Sequence, residues 1–164
     1  MHKTLIVAAA LSALAIPAHA AASETPYALG AVHADFQLCL ERAADMPGAI
    51  GAAARVAGDL MASQNAAQER LVLPLLGWAD AAPAGRLNAA DYPDQSRIAA
   101  ELSQLHDGDV ELVTALVELY AAADEAGEAE TARLAETMIW HQTSDIDVLY
   151  PAALLVEAAM RTER

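Results

Sequence analysis

The residues that could carry chemistry in this chain are three histidines and one aspartate. His141 and Asp145 lie four positions apart, so on a helix their side chains point the same way from successive turns. One helix can then offer an imidazole and a carboxylate to a single ion, and His106 from a facing helix adds a second imidazole. This donor set suits a non-haem Fe(II) centre with open positions, and it would also accept zinc. His33 could complete the shell.

The chain has five histidines, of which His2 and His19 lie in the first twenty residues, a predicted export signal. Each of the other three falls on the apolar stripe of a different segment, where apolar residues recur every three or four positions as on a helix. The four stripes are Leu29, Val32, His33, Phe36 and Leu40; Val56, Leu60, Gln64, Gln68, Leu71 and Leu75; Ile98, Leu102, Leu105, His106, Val113 and Val117; and Leu134, Met138, His141, Asp145, Val148, Ala152, Leu155 and Ala159. If a stripe covers a third of positions, three histidines fall on stripes by chance about once in thirty times. The pattern therefore predicts that the three imidazoles face a shared interior.

The elements that carry these stripes are predicted to be four helices and no strand. Alanine and leucine dominate the sequence, and runs of β-branched residues are scarce. Glycine and proline mark three breaks, at 46–48, at 81–93 and at Gly127. Short connections place consecutive helices antiparallel, so the expected fold is all-α, an up-down-up-down antiparallel four-helix bundle.

The first twenty residues have the features of an export signal. Lys3 gives a basic start, residues 5–16 form an apolar run, and residues 18–20 (A-H-A) give a small-x-small cleavage pattern. The run is too short to span a bilayer. The sequence therefore predicts a cleaved signal peptide at 1–20, a single domain at 21–164, and a periplasmic or secreted protein.

The net charge of the chain limits the classes of molecule that it is expected to bind. Nine Lys and Arg stand against 23 Asp and Glu, which gives a net charge of −14. Such a surface repels phosphate backbones and anionic headgroups, so it argues against nucleic acid and against a membrane partner for the mature form. Cys39 is the sole cysteine, which excludes an intramolecular disulfide and predicts a small buried hydrophobe.

Two stretches add a resemblance to a known family. Residues 69–77 (E-R-L-V-L-P-L-L-G) and 141–153 (H-Q-T-S-D-I-D-V-L-Y-P-A-A), on four predicted helices, resemble the hemerythrin-like, or HHE cation-binding, family. That family takes one His from helix one, His-x-x-x-Glu from helix two, one His from helix three and His-x-x-x-Glu from helix four. The resemblance covers most of residues 21–164. It implies a four-helix bundle that binds iron, with the ligand positions occupied by His33, His106, His141 and Asp145.

Helix two departs from the family pattern. Gln64 and Gln68 stand where the family has its His and Glu, so neutral amides replace an imidazole and a bridging carboxylate. A buried diiron centre needs carboxylates to balance its charge, so the substitution favours a mononuclear site. Glu69 is adjacent in sequence but lies about 100° round the helix, where it would need a local distortion to reach in.

Three functions are consistent with these residues. The first is an exported protein that binds a metal ion, iron or alternatively zinc, and takes a small gas ligand such as O2 or NO. The second is a metal-free structural or interaction bundle in which Gln64 and Gln68 hydrogen-bond to the histidines. The third, an oxidative enzyme, has the least support because no substrate pocket can be read from the sequence.

Several acidic and aromatic residues are predicted to have no part in the site. The acidic residues beside His106 are predicted to form a solvated face; they are Asp107, Asp109 and Glu111. Tyr120, Trp140 and Tyr150 are predicted to be core or rim aromatics.

Overall fold

The computed structural model describes residues 24–81 and 95–162, and this part of the chain is helical throughout apart from two short turns, with no strand. The elements are α1 (Glu24–Ala44), α2 (Gly48–Ala81), α3 (Gln95–Ala126), α4 (Ala129–Ser144), a π-helical turn (Asp145–Leu149) and α5 (Tyr150–Thr162). The predicted signal peptide at 1–20 lies outside the described residues. None of the described helices combines the length and apolar character needed to cross a bilayer.

Two of the predicted helix breaks are set by glycines in the left-handed region. Gly48 has a φ of 75° and Gly127 a φ of 76°, values that side-chain-bearing residues rarely adopt. After Gly127, the amide of Glu128 donates to the carbonyl of Ala123 at 2.9 Å, which closes the end of α3. The breaks at 46–48 and at Gly127 are therefore confirmed.

The helices pack against one another around two apolar clusters. α2 lies between α1 and α3, α3 packs against α4, and α5 packs against α2 and α3. The first cluster joins α1 to α4 and includes Leu40, Met61, Leu116 and Met138; the half-buried thiol of Cys39 packs against it. The second joins α2, α3 and α5 and includes Val72, Leu75, Ile98, Leu102 and Tyr150. The predicted all-α class is confirmed. Polar side chains fill the region between the two clusters.

The inward face of α3 differs from the predicted stripe. A row of buried residues follows steps that alternate between four and three, and Ala115 lies buried beside it; the row is Ile98, Leu102, Leu105, Asp109, Leu112, Leu116, Leu119 and Ala123. The prediction that His106 and Val117 line the interior is wrong, because both are exposed. His106 follows Leu105 by a single residue, which is a rotation of about 100° away from the core.

The π-helical turn shifts the inward face of the last helical segment. The amide of Tyr150 donates to the carbonyl of Asp145, five residues back instead of four. The buried residues accordingly step by five from Asp145 to Tyr150 and continue at Ala153 and Glu157. The predicted inward positions Val148 and Leu155 are wrong, with exposures of 66% and 74%.

Proline chemistry explains why the wider turn falls at this point. Pro151 follows the turn directly. It has no N–H to donate, and its ring crowds the carbonyl four residues earlier, so a wider turn gives that ring room.

Candidate metal centre

His33 and His141 meet in the interior. His33 lies in the middle of α1 and is 2% exposed, while His141 lies near the end of α4 and is partly buried. Their Nε2 atoms are 3.2 Å apart, and the rings meet edge to face with centroids at 5.3 Å. The ring of Phe36, one turn after His33, packs edge to face on His141 at 5.2 Å. This contact limits the room that the His141 imidazole has to turn.

The contact between the two imidazoles also limits which of their nitrogens can carry a proton. A nitrogen pair at this distance shares one hydrogen, so one Nε2 donates and the other accepts. Burial lowers the pKa of His33, and the neighbouring His141 lowers it further, while Asp145 and Glu69 act in the opposite direction. His33 is therefore neutral at pH 7, the form in which an imidazole binds a metal. A cation between the two nitrogens would take the place of the shared proton.

Asp145 completes a three-residue cluster. It is the first residue of the π-helical turn and is 4% exposed. Its Oδ2 lies 3.8 Å from His141 Nε2, across one helical turn. The donor atoms of His33, His141 and Asp145 all lie within 4.8 Å of one another, close enough to share one ion. The structure thus brings together three of the four residues that the sequence predicts as ligands.

The fourth predicted ligand, His106, is not part of this cluster. Its side chain is 51% exposed, and its Nδ1 lies 3.5 Å from Asp107 Oδ1 on the outer surface of α3. The inward position on that helix belongs to Asp109, three residues later, which is fully buried. The prediction of His106 as a ligand is corrected for a geometric reason: its position on the helix turns it toward solvent.

The two glutamines of α2 bind buried carboxylates, and the predicted bonds to the histidines are not made. Gln68 Nε2 donates to Asp145 Oδ2 at 3.0 Å and to the hydroxyl oxygen of Tyr150 at 2.9 Å. Gln64 Nε2 donates to Asp109 Oδ1 at 2.7 Å and to the carbonyl of Leu105 at 2.7 Å. Both amide nitrogens therefore have two acceptors.

Asp109 and Tyr150 close the network on its far side. The Tyr150 hydroxyl donates to Asp109 Oδ2 at 2.5 Å. Burial raises the pKa of Asp109 to about 6, although the hydrogen bonds from Tyr150 and Gln64 lower it. Burial also raises the pKa of Tyr150, and the hydrogen bond to Asp109 adds to that effect, so the phenol keeps its proton.

Close packing holds Gln64 against α3. A Cβ added at Gly108 would lie 2.9 Å from the amide group of Gln64, so a glycine is needed for the amide to reach the Leu105 carbonyl and Asp109. The absence of a side chain at this position lets the two helices approach where the polar network crosses between them.

The sequence did not lead us to predict that Asp109 is buried, or that Tyr150 takes part in the polar network. Asp109 was predicted to be solvated with its acidic neighbours, yet it continues the alternating steps of four and three that run from Ile98 to Ala123. That unbroken alternation was the signal available in the sequence. Tyr150 does lie in the core, as one of its two predicted settings, but its role as a hydrogen-bond bridge had no signal.

Several buried polar atoms near these residues have no hydrogen-bond partner among the described residues. They are His33 Nδ1, Gln37 Oε1, Gln68 Oε1 and Gln142 Oε1. Burying a polar atom without a partner costs about 1–3 kcal/mol, so proteins keep few of them. Apart from Gln37, the side chains that carry them are at most 2% exposed.

The described part of the chain is thus all-helical, with a buried His–His–Asp cluster joined to a hydrogen-bonded polar network. No family model matches the sequence, and neither a curated protein nor a solved structure matches it.

Proposed function

We propose that this chain is an exported hemerythrin-like protein that binds one metal ion, iron, through His33, His141 and Asp145. The observation that carries the proposal is the convergence of these three donor side chains in the interior, with donor atoms within 4.8 Å of one another. Two imidazoles and one carboxylate form the donor set found at non-haem iron sites with open positions. The bound ion would offer such a position to a small ligand such as O2 or NO.

The distances fit one ion. Two nitrogens at about 2.0–2.1 Å from a zinc-like ion lie about 2.9–3.4 Å apart in octahedral or tetrahedral coordination. The Nε2 atoms of His33 and His141, at 3.2 Å, are within that range. Asp145 Oδ2, at 3.8 Å from His141, is slightly too far and needs a small side-chain rotation. The two imidazole nitrogens thus have a spacing that one ion can bridge, and only the Asp145 carboxylate must move to bind it.

Charge favours a single ion over a pair. Asp145 is the only carboxylate of the cluster, and Gln68, at the position where the resemblance implies a bridging Glu, is neutral. Glu69 is exposed, as expected for a residue about 100° round the helix. A second divalent ion at this cluster would find no further carboxylate among the three cluster residues to offset its charge.

The helix contacts support the antiparallel up-down-up-down arrangement that belongs to this proposal. Each of α1, α2 and α3 packs against the next element in the chain. The contact between His33 and His141 joins α1 to α4, which is how the last helix of a four-helix bundle returns to the first.

A second candidate function is a metal-free bundle with a polar centre. The observation in its favour is that protein groups alone provide partners for the buried carboxylates of Asp145 and Asp109. Gln68 donates to Asp145, and Gln64 and Tyr150 donate to Asp109. In this reading the imidazole pair is held by its own hydrogen bond, and the acidic surface faces a protein partner.

Elemental analysis of protein purified from its native compartment separates the two functions. The metal-binding function predicts about one equivalent of iron or a similar metal, and loss of thermal stability when a chelator removes it, because a ligand bound to the folded state stabilises it. Metal absent from native protein, and failure of Fe(II), Co(II) and Zn(II) to bind the purified chain, would establish the metal-free alternative.

Two histidine variants test the assignment of the ligands. His141→Ala removes a donor of the cluster and should abolish metal binding. His106→Ala is the matched control because its imidazole is exposed on α3, and it should bind metal like the wild type. The reverse result would restore His106 as a ligand and overturn the three-residue site.

A further inference from the structure

A second buried carboxylate is linked to the proposed ligand Asp145 by two hydrogen-bonding side chains. Tyr150 donates to Asp109 Oδ2 and accepts from Gln68 Nε2, which also donates to Asp145 Oδ2. These four side chains are each at most 4% exposed. Bulk water therefore has little access to the path between the two carboxylates.

The direction of each hydrogen bond along this path is fixed by chemistry. Ionised Asp109 accepts at both oxygens, from Gln64 at Oδ1 and from Tyr150 at Oδ2. With its proton committed to Asp109, Tyr150 can only accept from Gln68. The amide nitrogen of Gln68 then also faces Asp145, and its Oε1 is left without a partner.

We propose that Asp109 is a positioning residue of the metal site, and that a proton bound at Asp109 is transmitted through Tyr150 and Gln68 to the ligand Asp145. This inference rests on the proposed function where it concerns the pH dependence of metal affinity. It also predicts a change in the metal-free protein, so the two proposals can fail separately.

The coupling follows from reversing the hydrogen bonds. A proton on Asp109 Oδ2 would donate to the Tyr150 oxygen, and the hydroxyl of Tyr150 would then turn to Gln68. For Gln68 to accept, its amide must rotate by half a turn, which brings Oε1 to the place of Nε2, about 3 Å from Asp145 Oδ2. Asp145 would lose its donor and face an oxygen. Protonation of Asp109 thus removes the hydrogen bond that Gln68 donates to Asp145.

The titratable groups whose charges act on Asp109 come from three elements of the described chain. They are Tyr150 from α5, Asp145 from the π-helical turn and His106 from α3 itself, while α2 presents the uncharged Gln64. Burial is the largest influence and raises the pKa of Asp109 to about 6. The transition therefore falls in a mild pH range where metal binding can be measured.

The first experiment uses metal-free protein. The side-chain amide of Gln68 and the carboxyl carbon of Asp145 are followed by NMR between about pH 4.5 and 8. Both signals should show a transition near pH 6, and Asp109→Asn should remove it. Asp107→Asn is the matched control, an exposed carboxylate two residues away on the same helix, and it should keep the transition. An unchanged transition in Asp109→Asn would overturn the coupling.

The second experiment measures Co(II) affinity against pH in the folded variants, with folding checked by circular dichroism. One coupled proton adds about a tenfold loss of affinity per pH unit below the transition, beyond the loss caused by the histidines. Tyr150→Phe interrupts the path and should remove this additional slope. Tyr120→Phe, on the exposed face of α3, should retain it. Equal slopes in the wild type and Tyr150→Phe would refute transmission.

The combined outcomes separate the two proposals. Co(II) binding without the NMR transition supports the metal site and rejects the role of Asp109. The transition without Co(II) binding keeps the coupled carboxylates and rejects the proposed function.

Discussion

Replacing Asp109 by asparagine measures what a buried carboxylate contributes to the stability of the folded chain. Burial raises the pKa of Asp109 from 3.8 to about 6, so the folded state holds this proton more tightly than the unfolded state does. The resulting stabilisation is fully present below about pH 4 and is lost as the pH rises through about 6. At about 1.36 kcal/mol per pKa unit, the loss is about 3 kcal/mol.

The asparagine variant should lack this pH dependence. Its side chain cannot ionise, so its free energy of unfolding should fall less than that of the wild type between about pH 4 and 7. The difference between the two proteins should change by about 2–3 kcal/mol across that range. A constant offset from altered hydrogen bonding cancels in this comparison, as do the contributions of the other acidic groups.

Urea unfolding in chelator-containing buffer, followed by circular dichroism at several pH values, supplies the required free energies. Asp107→Asn is the control, because its side chain is 81% exposed on the same helix and should leave the pH profile unchanged. Parallel profiles for the wild type and Asp109→Asn would refute the reasoning, since they would mean that Asp109 titrates alike in the folded and unfolded states.

Two further predictions concern packing. Gly108→Ala should lower the free energy of unfolding by about 1–3 kcal/mol, because the new methyl group meets the side chain of Gln64. Gly77→Ala should raise it by up to about 1 kcal/mol, because a Cβ at that position has no atom within 4 Å. Urea unfolding measures both changes. If the π-helical turn sets the register, Val148→Ala should change stability by less than about 0.5 kcal/mol, while the fully buried Val72→Ala should cost more than about 1 kcal/mol; similar losses by thermal denaturation would contradict that register.

The described helices and the two breaks at Gly48 and Gly127 could be predicted because they depend on local features of the sequence. Gly48 and Gly127 adopt positive φ values that favour glycine, and the spacing of apolar residues marks the inward faces. His33 and Asp145 could be placed in the interior for the same reason.

The predictions are wrong where a shift of one residue along the helix decides which side chain faces the interior. Leu105 and His106 are neighbours, and a stripe drawn by apolar spacing alone passed through both, which hid Asp109. Pro151 indicates that the helix is disturbed near this point, but it does not give the step of five that moves Tyr150 inward and Val148 outward. The partners of Gln64 and Gln68 depend on three other elements packing together, which a one-dimensional pattern does not contain.

The five-residue step between Asp145 and Tyr150 also bears on how this segment tolerates change in chain length. Converting the turn to regular α-helix at constant length would rotate α5 by about 100° and carry Tyr150 away from Gln68. A chain that lacked one residue between these positions would instead bring both side chains inward on an uninterrupted α-helix. A deletion of a single residue here would therefore keep Asp145 and Tyr150 on the inward face, and its cost would be the crowding of the Pro151 ring that the wider turn relieves.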